Sequence, residues 1–129
     1  MHTLKIAASI AVLLVLIITA GIYTNHALLS SSKKLEAHII KIEEASKSEK
    51  WASAKEQLDM ANALWDNTEG AWSVLIDHIE IDNIKELFVR TEKYIETQNQ
   101  SMTLAETAAL KQCISNIPKK ENFNIKNIF

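Results

Sequence analysis

Residues 51–79 read WASAKEQLDMANALWDNTEGAWSVLIDHI, and within them Trp51, Ala54, Leu58, Ala61, Trp65, Thr68, Trp72, Leu75 and Ile79 recur in alternating steps of three and four. That spacing holds one stripe on one face of a helix, whereas a half-buried strand would need a period of two. Alternating threes and fours form the seam of helices packed lengthwise. Thr68 is its one polar member. The three tryptophans share this seam, which marks them as core or partner-helix contacts rather than a ligand box. Gly70 interrupts the pattern at a cost of about 1 kcal/mol relative to alanine. The sequence therefore predicts a bend there or a neighbour too close for a side chain. Just upstream, Ser46-x-x-Glu49 has the form of a capping box.

Working outward, the apolar phase changes across Ser46-Lys-Ser-Glu-Lys50, which predicts a turn. Before it, Leu35, Ile39 and Ile42 keep helical spacing, and Ser30-Ser31-Ser32 offers hydroxyls suited to capping a helix start. After it, Ile81, Ile84, Leu87, Phe88, Thr91, Tyr94 and Ile95 predict a third helix ending near Gln98-Asn99-Gln100. A fourth is expected to open at the capping box Thr103-x-x-Glu106 and to carry Leu104, Ala108, Leu110, Ile114 and Ile117. Pro118 is expected to stop it, because proline disfavours helical geometry in the residue before it. The remainder, PKKENFNIKNIF, reads as a polar tail with Phe123, Ile125, Ile128 and Phe129 near its end.

Composition agrees with a few long helices. Of 129 residues only two are glycine and one is proline, too few turn formers for a sheet protein. The single cysteine, Cys113, forms no intramolecular disulfide, and in its helical pattern reads as a half-buried apolar residue. Beyond residue 29 lie all 16 acidic residues and 13 of the 14 basic ones. A mild acidic excess without clustered Lys or Arg argues against nucleic acid or anionic lipid as the main partner.

The N-terminal stretch IAASIAVLLVLIITAGI, residues 6–22, carries no charge and has only Ser9 and Thr19 as polar side chains. Extended to residues 4–23 it is about 30 Å of helix, the thickness of a bilayer's hydrocarbon core. A cleaved signal peptide would have a shorter apolar region ending in a small-x-small site. The run is longer and no such site follows, so an uncleaved anchor is expected. Charges flanking the run nearly balance; a short basic N-terminus held in the cytoplasm would place the rest outside it.

One cluster invites a chemical role: Asp77, His78, Glu80 and Asp82. On a helix His78 and Asp82 share a face and could grip a cation, yet two ligands do not close a site. The plainer expectation is a helix–helix junction, with Glu80 and Asp82 favouring the positive N-terminus of the next helix. His26 and His2 flank the apolar run, and His38 is expected to stand alone on a polar face. No Gly-rich phosphate loop, G-x-S-x-G, HExxH or CxxC occurs. An enzyme is not expected, nor a cofactor or metal.

The segment Trp72-Ser-Val-Leu-Ile-Asp-His78-Ile-Glu-Ile-Asp82 resembles the W-x-x-L-x-x-H-x-E-I-D element of a family of short membrane-anchored bacterial proteins, domain of unknown function 4363. Trp51 and Ala54 match that family's W-x-x-A start, and Ile117, Pro118, Glu121 and Asn127-Ile128-Phe129 match its ending. Ile79 and Gly70 depart from it, standing where polar helix formers are expected. The resemblance implies a membrane-anchored bacterial chain and assigns no activity.

The expectation is an all-α protein: an N-terminal transmembrane helix, then a small bundle of about four helices with one long spine helix. Residues 1–29 would form the anchor with a short cytoplasmic N-terminus, 30–117 the bundle, and 118–129 a C-terminal tail. Functionally it would be a non-enzymatic interaction module, an accessory subunit partnered by another membrane or envelope protein in the cell membrane. Two alternatives stand beside it. One is a structural coiled coil, a homodimer paired through the seam of residues 51–79 that includes Trp51, Leu58, Trp65, Trp72 and Leu75. The other is an extracytoplasmic sensor using His78.

Overall fold

The computed structural model describes the backbone of residues 1–128 and the side chains of residues 1–119. Within them the chain forms four helices: α1 (His2–Lys47), α2 (Trp51–Leu75), α3 (His78–Glu96) and α4 (Gln100–Ile128). No strand occurs among the described residues. The packing runs around a ring, α1 on α2, α2 on α3, α3 on α4 and α4 on α1. Short turns between long helices make this an up-and-down bundle.

α1 is one helix of 46 residues with no break at Ser30-Ser31-Ser32, which corrects the helix start expected there. Propagating an existing helix fixes one residue per hydrogen bond, whereas a new start must repeat the costly nucleation step. Its first half is exposed, and from Leu28 onward it contributes Leu28, Leu35, Ile39 and Ile42 to the core. The apolar run and the bundle's first helix are therefore a single rod.

The two turns at the far end of the bundle share one geometry. After α1, Lys50 N–H donates to Ala45 C=O at 2.9 Å and Glu49 N–H to Ser46 C=O at 3.1 Å. After α3, Asn99 N–H donates to Tyr94 C=O at 2.9 Å and Gln98 N–H to Ile95 C=O at 3.0 Å. Both pairs are the hydrogen bonds of a Schellman motif, in which the residue just past the helix cap adopts left-handed geometry and is usually glycine. Here it is Glu49 (φ 55°) and Gln98 (φ 54°). The chain turns without glycine and carries backbone strain at both positions.

Neither capping box forms. α2 starts after Lys50 with no side-chain cap, and the Ser46 hydroxyl donates back to Ile42 C=O at 2.7 Å. α4 starts earlier than expected, with the Asn99 side chain accepting from Met102 N–H at 3.1 Å. Glu106 is free of capping duty. It pairs instead with Arg90 across the α3–α4 interface at 2.6 Å, its side chain only 7% exposed. Around Gly70 nothing lies within 4 Å of the space a side chain would take, and α2 continues through it. No close neighbour explains that glycine.

Pro118 does not end α4, which runs on to Ile128; the tail expected from residue 118 is helical as far as that. Proline has no N–H, so the carbonyl four residues back, that of Ile114, loses its helical donor. The buried Ser32 hydroxyl of α1 donates to that carbonyl at 2.9 Å. Other buried hydroxyls bond within their own helix: Thr68 to Leu64, Thr91 to Leu87, Thr103 to Asn99 and Thr107 to Thr103. Ser32 alone among these reaches across, to the carbonyl that proline leaves without a donor.

The core has tryptophan at its centre. Trp65 and Trp72 of α2 meet edge to face at 5.5 Å, and Phe88 of α3 stacks on Trp65 at 6.2 Å. Around the rim, each adjacent helix pair has a polar tie. His38 meets Gln57 at 3.2 Å, correcting the expectation that it stands alone. Lys55 reaches Glu92 at 3.3 Å, Lys85 pairs with Glu69, and Lys111 meets Glu43 at 3.1 Å. Half-exposed pairs of this kind add little to stability.

Candidate functional site: the end of the bundle beside the apolar run

α2 ends because Ile76 leaves helical geometry (φ −125°, ψ 151°) and turns its side chain into the core. Asp77 then caps α3, its carboxylate accepting from Ile79 N–H at 3.3 Å. The acidic cluster thus sits at a helix junction, where carboxylates face the unpaired N–H groups of a helix start.

The structure places its members unequally. Asp77, His78 and Asp82 are exposed, while Glu80 is half-buried and faces α4. Glu80, Asn83 and Ile84 of α3, with Cys113, Asn116 and Ile117 of α4, line a cavity of about 120 Å³. Ligand pockets ordinarily measure about 300–1,000 Å³, so this space suits a few atoms at most. Among the described residues no group of three or more His, Cys, Asp or Glu side chains is placed to hold a metal ion.

The seam residues divide at the same junction. Ala54, Leu58, Ala61, Trp65, Thr68 and Trp72 are buried, and Trp51 is half-buried against the core. Leu75 and Ile79, read as the last members of the stripe, are instead 38% and 67% exposed. The helix break rotates the stripe, and Ile76 and Ile81 take the core positions. Together with Val74, 83% exposed, Leu75 and Ile79 form an apolar tip on the α2–α3 turn. A seam counted at constant phase could not reveal it, because the phase is lost where the helix ends.

The model of the family described as Domain of unknown function (DUF4363) matches residues 22–128. The chain belongs to that family. Neither a curated protein nor a solved structure matches it. The family match begins where the apolar run ends, so the DUF4363 unit coincides with the four-helix bundle. The other pairings here, Ser32 with Ile114 and Arg90 with Glu106, went unread in the sequence. Only Pro118 held a clue, since its missing N–H implies an outside donor for Ile114.

Proposed function

We propose that this DUF4363 protein is a single-pass membrane protein whose helical bundle is a non-enzymatic interaction module outside the cytoplasm, an accessory subunit to another envelope protein. The carrying observation is α1. One uninterrupted helix holds a segment long and apolar enough to cross a membrane, none of it buried in the bundle, and then enters the core at Leu28. Holding about 20 apolar side chains in water instead of hydrocarbon costs tens of kcal/mol, and a bilayer removes that penalty.

Asp77 caps α3, which supports a junction role for the acidic cluster around His78. The seam of α2 packs inside its own bundle through Leu58, Trp65 and Trp72. That leaves little of it for a homodimer and makes the coiled-coil alternative the weaker one.

Membrane fractionation tests the anchor. The full chain is expected to remain in the membrane pellet through carbonate and high salt. A maleimide that cannot cross membranes is expected to label a Ser48→Cys, Cys113→Ser variant in intact cells. A mature form released with a new N-terminus near Ala27 would refute the anchor, and labelling only after lysis would reverse the orientation.

A further inference from the structure

The apolar tip of the α2–α3 turn lies at a particular height. α2 climbs antiparallel to α1 from the Ser48–Lys50 turn, and His38 meets Gln57 at its flank. From Trp51 to Leu75 the helix rises about 36 Å at 1.5 Å per residue. The same rise back along α1 from Lys47 arrives at Tyr23, where the apolar run gives way to polar sequence. Counted from the His38–Gln57 contact instead, Leu75 comes level with Ala20. Both counts bring the turn to the end of the apolar run.

Val74, Leu75 and Ile79 are 83%, 38% and 67% exposed there. At the opposite end the turns are formed by Ser48, Glu49 and Lys50 and by Thr97, Gln98 and Asn99, polar throughout. Apolar side chains are thus presented at the end where the bilayer surface would lie, and polar ones at the end that would face water.

We propose that the α2–α3 turn is a second membrane contact, in which Val74, Leu75 and Ile79 enter the interfacial layer of the bilayer that α1 spans. This rests on the anchor proposed above. The contact is made by apolar side chains, since the exposed neighbours Asp77 and Asp82 are acidic and would not draw the turn to an anionic headgroup. Because α1 tethers the turn to the surface, weak intrinsic affinity suffices: the effective concentration is high. The consequence is a bundle held upright on two points, so that its far end is presented to partners at a defined height.

The test uses the full chain in phosphatidylcholine vesicles, with Cys113→Ser and one new cysteine carrying an environment-sensitive fluorophore. Labels go at Leu13→Cys, Val74→Cys, Ile79→Cys, Met60→Cys and Ser48→Cys, and nitroxides in the lipid chains serve as quenchers. Labels at 74 and 79 are expected to lose most of their emission to shallow nitroxides, and the label at 13 to deep ones. Labels at 60 and 48 are expected to keep theirs. Met60 is itself an exposed apolar position on α2, about 21 Å further down the helix, and so controls for the dye's own attraction to lipid. Quenching at 13 without quenching at 74 and 79 overturns the second contact and leaves the anchor standing. No quenching at 13 overturns the anchor as well. Quenching at 60 as strong as at 74 also overturns the proposal, since contact would not be confined to the turn.

Discussion

Replacing Ser32 by alanine probes a hydrogen bond that exists only because two distant residues coincide. The Ser32 hydroxyl and the Ile114 carbonyl are buried together, and Pro118 supplies no N–H to that carbonyl. In Ser32→Ala the carbonyl stays buried without a donor, which costs about 1–3 kcal/mol. For a bundle of this size each kcal/mol moves the melting temperature by about 4–8 °C, so a fall of about 5–20 °C is expected. The assay is a thermal melt of the full chain in detergent followed by tryptophan emission. All three tryptophans lie in α2, so the signal reports the bundle and not the apolar segment. A double-mutant cycle isolates the cause. Pro118→Ala restores an N–H to α4, and in that background Ser32→Ala should cost at least about 1 kcal/mol less than in the wild type. Equal costs in both backgrounds, or a Ser32→Ala melt within about 2 °C of wild type, would refute the reasoning.

Other perturbations address the core, the turns and the junction. Trp72→Ala should destabilise by about 3–5 kcal/mol, a large part of a total of about 5–15, whereas Trp65→Phe should lose much less, because the buried Trp65 indole N–H has no acceptor among the described residues; equal losses in chemical denaturation would argue against this. Glu49→Gly and Gln98→Gly should each stabilise by about 1 kcal/mol by relieving left-handed strain, and a lowered denaturation midpoint for both would count against the Schellman assignment. Asp77→Ala should cost about 0.5–2 kcal/mol as a lost cap, while zinc should leave wild-type and His78→Ala melts alike; a zinc-dependent rise in the wild type alone would restore a metal site. Hydrogen bonding to Glu69, then that carboxylate's charge, raises the Lys85 pKa above the ordinary lysine value. This contribution is present below the unfolded pKa and is lost as pH rises through the folded one, so Glu69→Gln should flatten the fall in melting temperature above about pH 10. An unchanged slope would show the pair to be inert.

Sequence alone was enough for the helical class, the apolar run and the two turns at the far end of the bundle, Ser46–Lys50 and Gln98–Gln100. Those properties are local: an alternating step of three and four, an uncharged run, a loss of phase at Ser46–Lys50 and again at Gln98–Gln100. Backbone geometry and burial impose them one segment at a time. Most of the buried stripe of α2 was legible in this way, from Ala54 to Trp72. What misled were signals whose meaning depends on what stands opposite. Ser30-Ser31-Ser32 resembles a helix start, yet Ser32 faces Ile114 in the interior of one. Glu106 resembles a capping residue until Arg90 is beside it. Leu75 and Ile79 continue the count but fall outside the core once Ile76 ends the helix and Asp77 begins the next. Pro118 is a stop signal in an isolated helix and a tolerated interior residue when a neighbouring hydroxyl stands in for the missing N–H. Each of these outcomes was decided by a contact between residues far apart in the chain, and spacing along one helix carries no information about the register of another.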